Sequence, residues 1–490
     1  MSRALIPRRY TPLLYLTFIL LVVGATRITT FFFIQAIDPA RILVPDSTAY
    51  VQTAHAILQT GRFAVSPEFP ERLQVERTPG YPLFIATLFS LFGENFALLG
   101  IIQILFSLGT IIVTYVLASK LWEPPIGLLA ALLLACDLPS FINAQQVLTD
   151  TLFTFVLSLA LLSGWASLKD APQRSSQIFV HGLLLALATL IRPITAYLIF
   201  PLLLAFIFMW RGCEKLTWKQ IVLLTFLLLL PWGLLIGGWQ VRNYAATGSA
   251  ELSQVVGWNL LFCRGAGIIA EREGITLEHA RKRLGFGEYS TLHPETQGWS
   301  IAELNQRWKR EGIRIILRHP WLFVKSQIRG LLTMLFGPGK KTFLAYIWGE
   351  QDETPQPADT FLERLLPRFL HPLFEPLALS PVFVLTELYL IVLYGSIGIS
   401  VWSLLRSPSA ACPDSLGGKI CRLRIHVWLW ISLAYLLLVS ISVGPEAYSR
   451  FRIPLMPLFS LYAAHGISQG ISRYRSNTRS LGHNSCQRRF

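Results

Sequence analysis

Apolar residues gather into runs of roughly 18 or more along much of the chain, each long enough as a helix to cross the ~30 Å hydrocarbon layer of a bilayer. The pattern predicts crossings at 12–33, 96–119, 125–144, 147–167, 177–191, 194–210, 218–239, 380–404, 425–443 and 453–470. The expected fold class is an all-α polytopic membrane protein with about 10 transmembrane helices, within a range of about 9 to 13. Two further apolar stretches do not fit as crossings. Pro79–Gly93 is too short to span upright and opens on helix-bending prolines, while His319–Phe336 carries Lys325 and Arg329 in its middle. The first is expected to lie in the outer interface, and the second to lie flat there or to be buried against protein.

The polar segments divide the rest. A membrane core is expected over 1–239, including a first extracytoplasmic loop at 34–95, followed by an extracytoplasmic loop region with an interfacial helix at 240–379. C-terminal transmembrane helices at 380–470 and a basic, serine-rich tail at 471–490, expected to be disordered, complete the chain. Within the large loop region helices are expected at 268–285 and 300–317 and a flexible linker at 349–360, GEQDETPQPADT, but no pattern names its fold. There is no internal repeat.

Composition sharpens this picture. Over 490 residues, 53% hydrophobic and 14% charged content is foreign to a string of soluble domains. The net charge of +15 would suggest nucleic acid in a soluble protein, yet much of the basic excess, such as Arg8, Arg9, Lys120, Lys215, Lys419 and Arg473, flanks the crossings. Nucleic acid is therefore not an expected partner. The same asymmetry predicts a multi-pass protein of the inner (plasma) membrane with both termini cytoplasmic and the loops 34–95 and 240–379 outside. The basic start MSRALIPRRY resembles that of a signal peptide, but the apolar run after it is too long and lacks a clear small-residue cleavage site, so a retained first helix is expected. The six cysteines have no metal spacing, and only Cys263 faces outward, so no disulfide framework is expected.

Candidate chemistry centres on residues 45–82, PDSTAYVQTAHAILQTGRFAVSPEFPERLQVERTPGYP. Asp46 stands just beyond the first crossing, where a carboxylate can take a proton from an incoming hydroxyl or amine; it is equally suited to starting the next helix. Other charges interrupt apolar sequence: Arg27 in the first crossing, Asp150 in VLTDTLFTF, Arg192 in LATLIRPITAYL, Arg242 in WQVRNYAATG, and Glu446, Arg450 and Arg452 in GPEAYSRFRIPLMP. All fall at the outer ends of predicted helices. Arg27 and Arg452 are expected to snorkel to the headgroups, but the whole set is better suited to holding an anion, because guanidinium forks pair bidentately with phosphate. No Walker loop and no strand-bound GxGxxG is present, so no soluble nucleotide is expected. The glycine strings at 263–267 and 337–341 read as turns, the histidines show no ligand spacing, and Trp232, Trp239 and Tyr244 suit an interfacial aromatic belt.

Several strings together carry a resemblance: PDSTAY with AHAILQTGRF, ERTPGYPLFIATLFSLFG, the Asp150 helix start, LATLIRP, W-x-x-RNY-x-x-x-G at 239–248 and RFRIPLMPLFSLYAAHG. In this order the chain resembles the C-type integral-membrane glycosyltransferases of glycosyltransferase family 39, the protein-mannosyltransferase and aminoarabinose-transferase kind. The resemblance implies a polyprenyl-phosphate-linked sugar as donor, transfer on the extracytoplasmic face with inversion, and a lipid, glycan or protein acceptor. By the same resemblance Asp46 and Asp150 are the catalytic acids, and Arg77, Arg192, Arg242 and Arg450 the donor-phosphate contacts. One departure is Ser47, where many relatives carry a second acid; it leaves acceptor handling and metal dependence open. No cofactor is expected, and no divalent-metal site is indicated. The rival functions are a transporter or flippase of lipid-linked saccharide and an oligosaccharide ligase; a transporter would carry repeats and mid-membrane charges, whereas these charges sit at the rim.

Overall fold

The computed structural model describes residues 11–169, 175–211, 216–349, 380–406, 416–441, 444 and 448–486. Among them the regular structure is helical, and the lone β-bridge joins Ala64 to Leu73. The N-terminal half comprises α1 (Thr11–Ile37), α2 (Pro45–Thr60), α3 (Gly80–Phe92), α4 (Phe96–Leu121), α5 (Pro124–Ala135), α6 (Leu138–Asn143), α7 (Thr149–Lys169), α8 (Ser175–Ile191), α9 (Ile199–Arg211) and α10 (Trp218–Thr247). The large polar region after α10 carries α11 (Ala266–Glu273), α12 (Leu277–Arg283), α13 (Ile301–Arg318), α14 (Pro320–Phe336) and α15 (Lys340–Trp348). The chain then adds α16 (Ser380–Arg406), α17 (Leu416–Ile441), a 3₁₀ segment at Ser449–Leu455 and α18 (Met456–Cys486).

Seven of the described helices are long and apolar enough to cross a bilayer: Thr11–Ile37, Phe96–Leu121, Thr149–Leu168, Pro193–Arg211, Trp218–Thr247, Pro381–Arg406 and Arg424–Ile441. The chain is a multi-pass membrane protein. The expected span at 125–144 is broken, because Asp137 accepts a hydrogen bond from the Ser140 backbone N–H at 3.0 Å and so starts α6 as a new helix. The expected span at 177–191 is α8, 17 residues long. The segment Pro79–Gly93 forms α3, only 13 residues long and thus too short to cross upright.

Two expectations about the polar regions are corrected. The helix expected at 268–285 is divided at Gly274, whose φ of +66° suits the left-handed turn that ends α11, and Thr276 then caps α12. The tail after 471 is not irregular, since α18 continues to Cys486. Its first turns are packed among buried side chains from Met456 to Ala464, and extending an established helix costs far less than starting one. The linker expected at 349–360 lies, from residue 350 onward, outside the described residues. The helix expected at 300–317 is present as α13, opened by a capping box in which Ser300 and Glu303 satisfy each other's backbone N–H groups.

Neither arginine expected to snorkel does so. Arg27 is buried, donating to Ser107 Oγ with its guanidinium over the Phe141 ring. Arg452 is buried too, paired with Asp137 at 3.2 Å and donating to the Met334, Leu335 and Gly337 carbonyls at the end of α14. Hydropathy counts them as rim charges, whereas partners from distant segments draw them inward. Trp239, one of the expected interfacial aromatics, donates its indole N–H to the Leu252 carbonyl at 3.0 Å.

One junction fixes the spacing between two of the arginines. A Cβ built on Gly80 would lie 2.8 Å from Ile191 N and Leu190 O, so only glycine lets the start of α3 rest against the end of α8. Thr78 Oγ1 donates to the Ile191 carbonyl at 3.3 Å across the same contact. Arg77 and Arg192, each one residue beyond these contacts, are thereby held near each other.

Candidate active site

Two of the candidate acids sit in the first turns of helices, where exposed backbone N–H groups favour a negative charge: Asp46 in α2 and Asp150 in α7. The two helix starts are tied by backbone. Val147 N donates to the Ile42 carbonyl at 2.9 Å, and Ser47 Oγ donates to the Val147 carbonyl at 2.8 Å. Ser47 is fully buried in this role. A carboxylate at that position would be buried against a carbonyl, which accounts physically for the departure noted in the sequence.

Three arginines thread the two acids together. Arg77 Nη2 donates to Asp46 Oδ1 at 3.1 Å, and Arg450 Nη1 donates to Asp46 Oδ2 at 3.0 Å. Arg450 Nε donates to Asp150 Oδ2 at 2.8 Å, and Arg192 Nη1 donates to Asp150 Oδ1. The result is an alternating chain, Arg77, Asp46, Arg450, Asp150 and Arg192, built from segments up to 404 residues apart in sequence. Three guanidiniums against two carboxylates leave one positive charge uncompensated. The Asp150 side chain is fully buried and that of Asp46 is 36% exposed, so the chain runs from the protein interior to an open end.

Aromatic groups frame the open end. The Arg77 guanidinium lies 5.1 Å from the Tyr50 ring, and Tyr448 OH lies 3.4 Å from Arg450 Nη1. Behind them Tyr81 OH donates to Gln103 Oε1 at 2.8 Å, and Gln103 Nε2 donates to the Gln146 carbonyl at 2.8 Å. Burial would raise the Asp46 pKa, but Arg450, Arg77 and Arg192 outweigh it and hold the carboxyl below the ordinary carboxylate range. Burial likewise works against the Arg77 charge, but Tyr50 and Asp46 more than compensate and raise its pKa. The neighbouring Glu76 is shifted up by burial, against the pull of Arg77 and Arg72.

Five of the six candidates from the sequence thus converge, and Arg242 stands apart. It donates to the Gln74 and Phe63 carbonyls at 2.7 and 2.9 Å and stacks 4.8 Å from the Trp239 ring. With Ser253, which donates to the Glu76 carbonyl, it grips the strand of loop that leads into Arg77. Arg242→Ala strands two part-buried carbonyls, so the expected loss of stability is about 1–3 kcal/mol, read as a lowered unfolding midpoint in detergent. Glu446 lies outside the described residues. Tyr448 and Gln74, whose Oε1 accepts from the Arg77 backbone N–H at 3.2 Å, were not singled out by the sequence; proximity to charged motifs was their only signal. Among the described residues no group of three or more His, Cys, Asp or Glu side chains could hold a metal ion.

Parts of the chain are similar to known proteins. Residues 76–234 match the family model of dolichyl-phosphate-mannose-protein mannosyltransferases. The resemblance read from the motifs is borne out over that stretch, which contains Arg77, Asp150 and Arg192. The chain is 29% identical over 217 residues to an undecaprenyl phosphate-alpha-4-amino-4-deoxy-L-arabinose arabinosyl transferase of Pseudomonas paraeruginosa, a match covering 42% of this chain and 38% of that protein. A Pseudomonas fluorescens protein of the same description is 28% identical over 213 residues. The matched part is thus well under half the length of these relatives. In structure the chain is similar to the apo oligosaccharyltransferase of Archaeoglobus fulgidus, with a TM-score of 0.52 at 13% identity, covering 97% of this chain and 52% of that one. The all-helical fold is thus similar to that of the Archaeoglobus fulgidus oligosaccharyltransferase.

Proposed function

We propose that this protein is a glycosyltransferase that moves a sugar from a polyprenyl-phosphate carrier to an acceptor on the extracytoplasmic face, with inversion. The observation that carries this reading is the alternating chain of two acids and three arginines, which keeps a net positive charge and opens at Asp46. The similarity to transferases named for undecaprenyl-phosphate and dolichyl-phosphate sugars supports the donor class.

The chemistry is a single displacement. An acceptor hydroxyl or amine gives its proton to Asp46 as its oxygen or nitrogen attacks the anomeric carbon; the bond from that carbon to the phosphate oxygen breaks, and its electron pair leaves with the polyprenyl phosphate. Attack opposite the leaving group inverts the centre. A guanidinium carries five N–H donors, and the carboxylates occupy one of Arg77 and one of Arg192, so both retain donors for phosphate oxygens. On this reading Asp150 is a positioning residue that fixes Arg192 and Arg450, and the arginines supply the charge stabilisation a departing phosphate needs without a cofactor. The acceptor is a lipid, glycan or protein. The basic segments flanking the spans support cytoplasmic termini and a plasma-membrane location.

The deciding experiment is mass spectrometry of lipid co-purified with the protein, in which a polyprenyl phosphate is expected and its absence from active preparations would remove the donor assignment. Arg192→Lys is expected to raise the donor KM by about tenfold, because an ammonium cannot reproduce a bidentate fork. Steady-state kinetics with varied donor measures this, and an unchanged KM counts against phosphate contact.

A further inference from the structure

The outer ends of α13 and α14 meet at a corner that the site chemistry does not use. α13 ends at Arg318, the backbone turns at His319, and Pro320 opens α14. On α13 Ile313 and Leu317, 4 residues apart, are exposed, and on α14 Trp321, Val324 and Ile328, spaced by 3 and 4, are exposed, so each helix carries an apolar stripe up to the corner. Leu317 and Trp321 are each 73% exposed. A ridge of five large apolar side chains is not left in water without cause.

The charges beside it are of one sign. Arg310, Arg314 and Arg318 are exposed and have no ion pair among the described residues. The acids nearby are already taken. Glu311 turns inward to Tyr289 OH at 2.8 Å and Arg307 Nε at 2.5 Å. Glu271 is held by Lys325 at 2.6 Å and by Arg329, and Glu273 by Arg272 and Arg283. An apolar ridge flanked by uncompensated arginines is complementary to a bilayer surface carrying negative headgroups: the ridge enters the acyl boundary and the guanidiniums meet phosphates.

We propose that this corner is a docking surface for anionic phospholipid, anchoring the outer region to the leaflet it overhangs. Trp321 lies 15 residues from Phe336, roughly 22 Å along α14 at the rise of an α-helix, and the far end of that helix is the one gripped by Arg452. Lipid at the corner thus fixes the end of α14 remote from the charge chain. The proposal depends on no step of the transfer reaction, and its test needs no activity.

The full-length protein is reconstituted in vesicles of phosphatidylcholine and phosphatidylglycerol in which one lipid or the other carries brominated acyl chains. The emission lost in Trp321→Phe isolates the signal of Trp321. Brominated phosphatidylglycerol is expected to quench that signal at least about threefold more effectively than brominated phosphatidylcholine, and the preference is expected to vanish in the triple variant Arg310→Gln, Arg314→Gln, Arg318→Gln. Unchanged quenching of the other tryptophans in the triple variant establishes that it is folded. No quenching of Trp321 by either lipid would show that the corner faces water or a protein, and equal quenching would show membrane contact without headgroup recognition; either overturns the proposal.

Discussion

Asp46→Asn is expected to lower turnover of a polyprenyl-phosphate sugar by about 10²–10⁴-fold, the usual contribution of a positioned general base, while leaving the protein folded. Asparagine matches the shape of the side chain and can still accept from one of the two arginines that bond the Asp46 oxygens at 3.1 and 3.0 Å, but its amide nitrogen cannot accept from the other and it cannot take up a proton. Binding of the donor is expected to change far less than turnover. The pH profile gives a second reading of the same group. A base works in its ionised form, so activity is present above its pKa and lost as pH falls through it. The arginines hold the Asp46 pKa below its ordinary value of 3.8, so the wild-type rate is expected to show no acid limb down to about pH 5. Rates measured across that window with saturating donor check both points. Turnover near wild type in Asp46→Asn would remove Asp46 from the role.

The second large effect falls on stability. Arg452 and Asp137 are both fully buried, and the pair stands 3.2 Å apart. Arg452→Met removes the cation but leaves the carboxylate in the interior, along with three carbonyls at the end of α14 that lose their donor. The expected cost is about 3–5 kcal/mol, seen as a lowered unfolding midpoint in detergent or loss of the protein on purification. Adding Asp137→Asn to Arg452→Met takes away the stranded charge yet keeps an oxygen to cap α6, so the double variant is expected to regain much of the loss. A double variant no more stable than Arg452→Met alone would show that the carbonyl contacts, and not the ion pair, hold the segment.

This pair also marks where sequence reading succeeded and where it stopped. The apolar runs located the seven helices long enough to cross a bilayer, and Asp150, Arg192 and Arg450 stood out because ionisable residues are conspicuous in apolar sequence, while Asp46 and Arg77 came from the polar loop 45–82 and the family resemblance. Their order along the alternating chain was not visible, because it depends on contacts between segments hundreds of residues apart, such as Arg450 with Asp46. For the same reason Arg27 and Arg452 looked like rim residues: local hydropathy cannot register Ser107 or Asp137 as partners. Arg242 shows the converse. Its motif places it close to the site in the chain's architecture, but its donors are spent on the carbonyls of Phe63 and Gln74, which only the folded loop presents. The break at Asp137 and the extension of α18 to Cys486 were missed because one capping side chain and one established helix outweigh average composition.

The contact at Gly80 has a consequence for altering this protein by design. Main chain meets main chain there, so the spread between Arg77 and Arg192 is gauged by a rigid seam and not by adaptable rotamers. Any larger residue would wedge the seam apart and widen the gap across which an anion must be grasped. A programme aiming to exchange the transferred sugar or its recipient can therefore vary the loops around the open mouth while leaving the calliper at this seam untouched.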